Sequence, residues 1–141
     1  MKDSLAAGIA TVRELTIDRE RTIDFMGEQA RVYATPMLVR DIEIACRELL
    51  LAHLDPGEDS VGTRVEIDHL AATLLGMQVT LTATVAEVKG RAITFDVEAR
   101  DDVEPICRGR HARFVVDVKT TEARLAAKAE KAQKANKAAA P

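Results

Sequence analysis

The stretch TPMLVRDIEIACRELLLAHL, residues 35–54, decides the fold, because its apolar residues recur with the period of an α-helix. Thr35 suits the N-cap position, and Pro36 suits the first turn, where a missing N–H does no harm. The segment Asp55-Pro56-Gly57 ends the helix. Apolar side chains occur nearly all round it, which is typical of a helix that is buried on every side. We therefore predict one long, buried helix over residues 36–54.

Five segments with the alternating pattern of β-strands surround this helix in the sequence. The first precedes it at residues 12–24, and four follow it at 60–70, 77–89, 91–100 and 104–118. Poor alternation at Cys107–Gly109 indicates a bulge in the last segment. A single helix is buried on all sides only when a sheet wraps around it. The order of elements predicts an α+β protein with an antiparallel sheet wrapped around one long buried helix.

The composition changes at residue 119, so we predict one domain over residues 1–118 followed by a tail over residues 119–141. The tail is rich in Ala and Lys, which favour helix, and Leu125 is its one large apolar residue. It carries a net charge of +4, against −7 for residues 1–118 and −3 for the whole chain. We expect a solvated helical extension. Contact with acidic surfaces or nucleic acid is the alternative, which no aromatic residue in the tail supports.

The composition also argues against several classes of function. With one Tyr, three Phe and no Trp, the chain lacks the aromatic residues of a base-stacking surface. Its net charge of −3 is not that of a nucleic-acid-binding protein, so we expect no nucleic-acid partner. Cys46 and Cys107 stand alone, which predicts two reduced thiols and no metal site. No segment is apolar for the length of a membrane span. The run from Leu5 to Ala10 is too short for a signal peptide, so we expect a cytoplasmic protein.

Three polar residues stand out as candidates for a functional site. Strict alternation in the segment 60–70 places one set of residues on a single strand face: Val61, Thr63, Val65, Ile67 and His69. A titratable ring on this otherwise apolar face needs a hydrogen-bond partner or a chemical role. Glu43 interrupts an apolar helix, and Thr35 stands at the start of that helix. Glu43 is a candidate general base or nucleophile, which Thr35 and His69 would orient.

Each of these residues also has a purely structural interpretation. Glu43 lies beside the polar arc of the helix and can pair with Arg47 one turn later. His69 can be a hydrogen-bonded histidine at a strand end, and Thr35 a simple N-cap. The pattern alone leaves these interpretations open. Two other histidines, His53 and His111, are expected at the surface or in structural roles, and Cys46 is expected to be a small core residue.

Several short motifs, in this order, resemble the hot-dog thioesterases related to fluoroacetyl-CoA thioesterase. They are Ala34-Thr35-Pro36, Glu43-Ile44-Ala45-Cys46, Leu54-Asp55-Pro56-Gly57-Glu58, Val61-Gly62-Thr63 and His69-Leu70-Ala71-Ala72-Thr73. The resemblance covers residues 10–118, and its most specific part is the ordered spacing of Thr35, Glu43 and His69. It implies a hot-dog fold and a thioester hydrolase.

The resemblance also implies roles for individual residues. Thr35, Glu43 and His69 would form the catalytic group, and Gly62 would lie against the acyl portion of the substrate. Further substrate contacts are implied at Met26, Gln29 and Arg113. Met26 and Gln29 stand where the fluoroacetyl enzyme carries two phenylalanines, so fluoroacetyl selectivity is not implied. The substrate would be a small or medium acyl-CoA, bound by a homodimer with sites at its interface and with no cofactor.

Two other functions occur on this fold and compete with hydrolysis. A non-catalytic module would bind acyl-CoA without releasing thiol. A hydratase usually pairs an Asp with a His on the helix-and-loop segment, whereas here the helix offers Glu43 and His69 lies far downstream. Release of thiol from acyl-CoA separates the hydrolase from the binding module.

Overall fold

An antiparallel sheet and a long helix form the centre of the computed structural model, which describes residues 1–139. The strands are β1 (Ala10–Thr16), β2 (Thr22–Ile23), β3 (Val32–Tyr33), β4 (Glu58–His69), β5 (Gln78–Lys89), β6 (Ala92–Arg100) and β7 (Pro105–Asp117), and the helices are α1 (Thr35–Leu51) and α2 (Val118–Ala139). Five strands form one sheet in the order β1-β5-β6-β7-β4, while β2 and β3 pair separately. Helix α1 contacts β1, β4, β5 and β7 across one face of this sheet. The predicted α+β architecture is confirmed.

The start of α1 differs from the prediction by one residue. Ala34 is the N-cap and makes no side-chain cap bond, so the prediction of Thr35 as N-cap is wrong. Thr35 is already helical, and its hydroxyl bonds to His69 instead of to the backbone of the first turn. Pro36 lies in the first turn as predicted. The helix ends at Leu51, three residues earlier than expected.

Helix α1 is buried on one side, so the expectation of burial on every side is wrong for the single chain. The buried apolar residues of α1 are Leu38, Ile42, Ala45, Cys46 and Leu50. Full burial of each large aliphatic side chain contributes about 1.5–3 kcal/mol. On the other side, Ile44 and Leu51 are 40% and 36% exposed. One sheet covers one face of a helix, so these residues are left without cover in a monomer.

A partly buried ion pair ties the segment before α1 to the helix. Asp41 accepts hydrogen bonds from Nε and Nη2 of Arg21 at 2.9 and 3.1 Å and from the hydroxyl of Tyr33. Burial, and then this bond to Asp41, raise the pKa of Tyr33, so its hydroxyl stays protonated. Because Arg21 is partly exposed, loss of one partner costs less than the roughly 3–5 kcal/mol of a fully buried pair. The contact therefore holds β3 against α1 and sets the position of Thr35.

The predicted first strand over residues 12–24 is two strands in the structure. β1 ends at Thr16, and a short 3-10 turn at Arg19–Arg21 separates it from β2. The turn forms because the side chain of Asp18 accepts a hydrogen bond from the backbone N–H of Arg21 at 3.0 Å. Such a local bond competes with strand pairing. The prediction of one continuous strand is therefore wrong.

The bulge predicted at Cys107–Gly109 lies slightly earlier in β7. Ala99 pairs with Cys107 and Arg100 pairs with Pro105, which leaves Ile106 as the extra residue. Both Ile106 and Cys107 are buried. Two consecutive buried residues break the alternation of a strand, and the bulge accommodates them. The predicted position is therefore wrong.

The C-terminal helix α2 has no buried residue. Its helical structure follows from the Ala and Lys content, since no apolar stripe docks it on the sheet. The division of the chain into a domain over residues 1–118 and a tail remains a prediction, and residues 140 and 141 of that tail lie outside the described residues. No helix within residues 1–139 has both the length and the apolarity to cross a membrane.

Candidate functional site

The start of α1 meets the end of β4 through a side-chain hydrogen bond. Oγ1 of Thr35 lies 2.7 Å from Nδ1 of His69. The ring of Tyr33 packs against the imidazole edge-on, with centroids 6.2 Å apart. This Thr35–His69 pair opens onto a cavity of about 370 Å³, whose other lining residues are Ile23, Val32, Tyr33, Leu70, Ala71 and Ala72. The hydrogen bond and the packed ring hold the imidazole in one orientation.

The second ring nitrogen of His69 is left without a partner. Nε2 is buried and makes no hydrogen bond to any residue in the described range 1–139. Burial lowers the pKa of His69, so the ring is neutral at pH 7. A buried polar atom without a partner costs about 1–3 kcal/mol. The interpretation of His69 as a fully hydrogen-bonded structural histidine is therefore wrong for the single chain, and Nε2 is available to another group.

Glu43 lies two turns along α1 from Thr35 and faces β4. A Cβ atom on Gly62 would overlap Oε1 of Glu43 and would lie 3.3 Å from its carboxyl carbon. Arg47 does not pair with Glu43, because its guanidinium binds Asp59 at 2.8 and 3.0 Å. Within the part of the chain that the structure describes, Glu43 makes no hydrogen bond or ion pair. The interpretation of Glu43 as a partner of Arg47 is therefore wrong.

A bulge at Thr63 turns Gly62 toward α1. The pairing of β4 with β7 shifts between Gly62 and Arg64, which leaves Thr63 as the extra residue. The side of β4 that faces α1 then carries Ser60, Gly62, Val65, Ile67 and His69. The prediction that Val61 and Thr63 share the face of His69 is wrong, because a period of two fails at a bulge. The same bulge places Gly62 and His69 on one side of the strand.

A buried guanidinium completes the surroundings of Glu43. Arg113 is 4% exposed, and its Nε and Nη2 donate to the hydroxyl and the carbonyl of Ser60 at 2.7 and 2.8 Å. Its Nη1 lies 3.2 Å from Nε2 of His111. Burial lowers the pKa of Arg113, and the negative charge of Glu43 acts against that shift. We name these five residues the Glu43 cluster: Glu43, Ser60, Gly62, His111 and Arg113.

His111, predicted at the surface or in a structural role, lies fully buried in the interior. The signal that places it there is alternation in β7. The residues of β7 that face α1 are Cys107, Gly109, His111, Arg113 and Val115. A polar pair, His111 and Arg113, at successive inward positions indicates a buried network.

A single chain does not bring all the predicted catalytic residues together. Thr35 and Glu43 are eight residues apart on α1, which is about 12 Å along a helix. Gly62 and His69 are seven residues apart on β4, which is roughly 20 Å along a strand. One chain therefore holds two half-sites, the Thr35–His69 pair and the Glu43 cluster.

Two of the residues predicted to contact the substrate, Met26 and Gln29, lie in the segment before β3. Met26 is 70% exposed, and Gln29 is exposed in a 3-10 turn at Glu28–Ala30. Neither residue lines the cavity at the Thr35–His69 pair. The aromatic residues nearest to them in the sequence are Phe25, which is 87% exposed, and Tyr33, which is buried with its hydroxyl bound to Asp41. The role of Met26 and Gln29 in substrate binding stays a prediction.

Comparison with known proteins identifies the family. The family model described as fluoroacetyl-CoA-specific thioesterase matches residues 17–119. The chain belongs to this family. Fluoroacetyl-CoA thioesterase of Streptantibioticus cattleyicolor is 32% identical over 132 residues, which span 89% of this chain and 95% of that protein. The predicted relation to this family is confirmed.

Solved structures support the same assignment. The fluoroacetyl-CoA thioesterase FlK superimposes with a TM-score of 0.82 at 30% identity, covering 89% of this chain and 98% of that one. A thioesterase superfamily member from Thermus thermophilus gives 0.85 at 30% identity, with coverages of 94% and 98%. A hot-dog-like protein from Thermanaerovibrio acidaminovorans gives 0.80 at 26% identity, with coverages of 86% and 91%. The predictions of a hot-dog fold and of a thioester hydrolase are confirmed.

Proposed function

We propose that this protein hydrolyses the thioester bond of a small or medium acyl-CoA. The observation that carries the proposal is the carboxylate of Glu43, which faces Gly62 close to buried Arg113 and has no hydrogen-bond or ionic partner in the described range. An unpaired carboxylate at such a place is available as a base or a nucleophile. A variant of FlK solved with fluoroacetate and CoA supports CoA as the leaving group.

Glu43 would act in one of two ways. As a base, it takes a proton from water while the water oxygen attacks the acyl carbon, and the C–S bond then breaks to release CoA as the thiol. As a nucleophile, it forms an anhydride with the acyl group and expels the CoA thiolate, and water then cleaves the anhydride. In both routes Arg113 would stabilise the negative charge that develops on the acyl oxygen. Both routes need only water and the ester, so we propose no cofactor and no metal.

We propose a homodimer as the working unit. β4 is a 12-residue edge strand, and Val65 on it and Ile44 on the neighbouring helix are 36% and 40% exposed. A long edge strand beside apolar side chains is a template for pairing with a second copy. Antiparallel pairing about a two-fold axis would bring the His69 end of one strand to Gly62 of the other.

This pairing would unite the two half-sites. Each complete site would take Glu43 and Gly62 from one protomer, and the Thr35–His69 pair from the other. The unpartnered Nε2 of His69 would then face the substrate or the carboxylate across the interface. The proposal explains why neither half-site is complete in a single chain.

The acyl group and the compartment are further parts of the proposal. We propose a small or medium acyl group without selectivity for fluorine, since neither Met26 nor Gln29 offers an aromatic ring. We also propose the cytoplasm, since Cys46 and Cys107 are free and buried, as is usual in a reducing compartment. Burial raises the pKa of Cys46 to about 12, so its thiol does not serve as the nucleophile.

The test is release of free thiol from a panel of acyl-CoA esters by the wild-type protein and by Glu43→Gln. Glutamine keeps the volume and suits a helix as well as glutamate, so the fold should survive. Loss of the proton-accepting charge should lower kcat about 10²–10⁴-fold. Glu48→Gln is the matched control, because Glu48 lies on the same helix, is partly exposed and pairs with Arg13. Full activity in a folded Glu43→Gln variant would end the catalytic assignment, and ester binding without thiol release by the wild type would establish a binding module.

A further inference from the structure

The two hydrogen bonds of His111 determine where its proton lies. Nδ1 is 2.8 Å from the carbonyl oxygen of Arg64, and Nε2 is 3.2 Å from Nη1 of Arg113. A carbonyl only accepts hydrogen bonds and a guanidinium only donates them. Nδ1 of His111 therefore carries the proton, and Nε2 accepts from Arg113. Both bonds form together only when the imidazole is neutral.

Burial keeps the ring in that neutral form. His111 has no exposed surface, and its ring stacks on Phe95 with centroids 6.3 Å apart. Burial lowers the pKa of His111, and the positive charge of Arg113 lowers it further. The facing groups are Arg113 from β7, the carbonyl of Arg64 from β4, Phe95 from β6 and the carboxylate of Glu43 from α1. The carbonyl of Arg64 and the carboxylate of Glu43 favour a charged ring, whereas burial and the charge of Arg113 oppose it.

Arg113 is a buried cation whose three hydrogen-bond partners are all uncharged. They are the hydroxyl and the carbonyl of Ser60 and the imidazole of His111. Three of the five guanidinium N–H groups are thereby used, and two remain. A buried charge is tolerated when an opposite charge lies nearby. The partnerless carboxylate of Glu43, or the oxygen of a bound ester, fits this requirement.

We propose that His111 is a positioning residue that acts through Arg113. Its neutral imidazole accepts from one N–H group of the guanidinium, while Ser60 accepts from two more. The orientation that results keeps the remaining N–H groups directed at Glu43 and the acyl oxygen. His111 itself does not touch the reacting atoms. This inference rests on the proposed thioesterase function and deepens it.

Two substitutions separate positioning of Arg113 from a structural role. In His111→Gln the amide lies near the place of Nε2 and can still accept from Arg113. In His111→Asn the amide lies near the place of Nδ1 and can still donate to the carbonyl of Arg64, but it no longer reaches Arg113. Loss of a hydrogen bond to a charged group corresponds to about 10- to 100-fold in rate. We expect His111→Gln to stay within about threefold of wild-type kcat and His111→Asn to fall about 10- to 100-fold, with KM changed less.

A double-mutant cycle shows whether the effect passes through Arg113. In an Arg113→Met background, where nothing remains to be positioned, His111→Asn should cause no further loss of kcat. Thermal melts of all variants exclude unfolding as the cause. Equal losses in the Gln and Asn variants, a better rescue by Asn, or additive losses with Arg113→Met would overturn the proposal.

A measurement on the wild-type protein tests the hydrogen-bond geometry without any turnover. The ¹⁵N chemical shifts of the His111 ring distinguish a protonated Nδ1 from a protonated Nε2, and assignment is made by loss of the signals in His111→Gln. We expect the proton on Nδ1 at pH 7. A proton on Nε2, or a charged ring, would refute the proposal. If the wild type releases no thiol while the ring shows the expected tautomer, the proposed function fails and the geometry of His111 stands.

Discussion

Gly62→Ala is the sharpest test of the position of Glu43. A Cβ atom at residue 62 would overlap Oε1 of Glu43, so the carboxylate must retreat by about 1 Å to reach ordinary van der Waals contact. A misplacement of 1 Å in a reacting group costs about 10²-fold in rate. The backbone of Gly62 is not in the left-handed region, so alanine adds no backbone strain. The same Cβ atom would lie 3.3 Å from Cε1 of buried His111, a tight contact that opposes the roughly 0.5–1 kcal/mol by which alanine stabilises a strand over glycine. The melting temperature should therefore change little.

The assay is kcat/KM for thiol release, measured beside a thermal melt. We expect about a 10²-fold loss of activity in a protein about as stable as the wild type. Val61→Ala is the matched control, because Val61 is the neighbouring residue and faces away from α1. In a Glu43→Gln background, Gly62→Ala should cause little further loss, since both act on the same carboxylate. Full activity in Gly62→Ala would show that the carboxylate does not work from its observed position, and the reasoning would fail.

Three further predictions concern assembly, the tail and selectivity. Mixing the Glu43→Gln and His69→Ala variants and allowing their subunits to exchange should restore about one quarter of wild-type activity. Half of the dimers are then mixed, and each mixed dimer has one intact site of its two. No recovery of activity, or a monomer in sedimentation at micromolar concentration, would refute a shared site. Truncation before Lys119 should leave the melting temperature nearly unchanged, since α2 has no buried residue; loss of folding would show that the tail is docked. Fluoroacetyl-CoA should not be preferred over acetyl-CoA by more than about the 1–3 kcal/mol that small apolar differences supply; a preference in kcat/KM of several orders of magnitude would contradict this.

The sequence alone indicated the order of elements and the residue types of the site. Periods of 3.6 and of 2 are local properties of the chain, so α1 and the strands β4 to β7 were predictable to within a few residues. The spacing of Thr35, Glu43 and His69 was equally readable, because it depends only on position along the chain. Local signals failed where side chains redirect the backbone, as Asp18 does in the predicted first strand.

The tertiary structure alone decided which of these residues meet. A bulge at Thr63 shifts the register of β4 against β7, and this shift places Gly62 opposite Glu43. The burial of His111 and its bond to Arg113 arise because two inward positions of β7 lie beneath the helix. The separation of Thr35 from Glu43 along α1 leaves each half-site incomplete. These features depend on register and on packing between distant segments, and no local periodicity encodes such contacts.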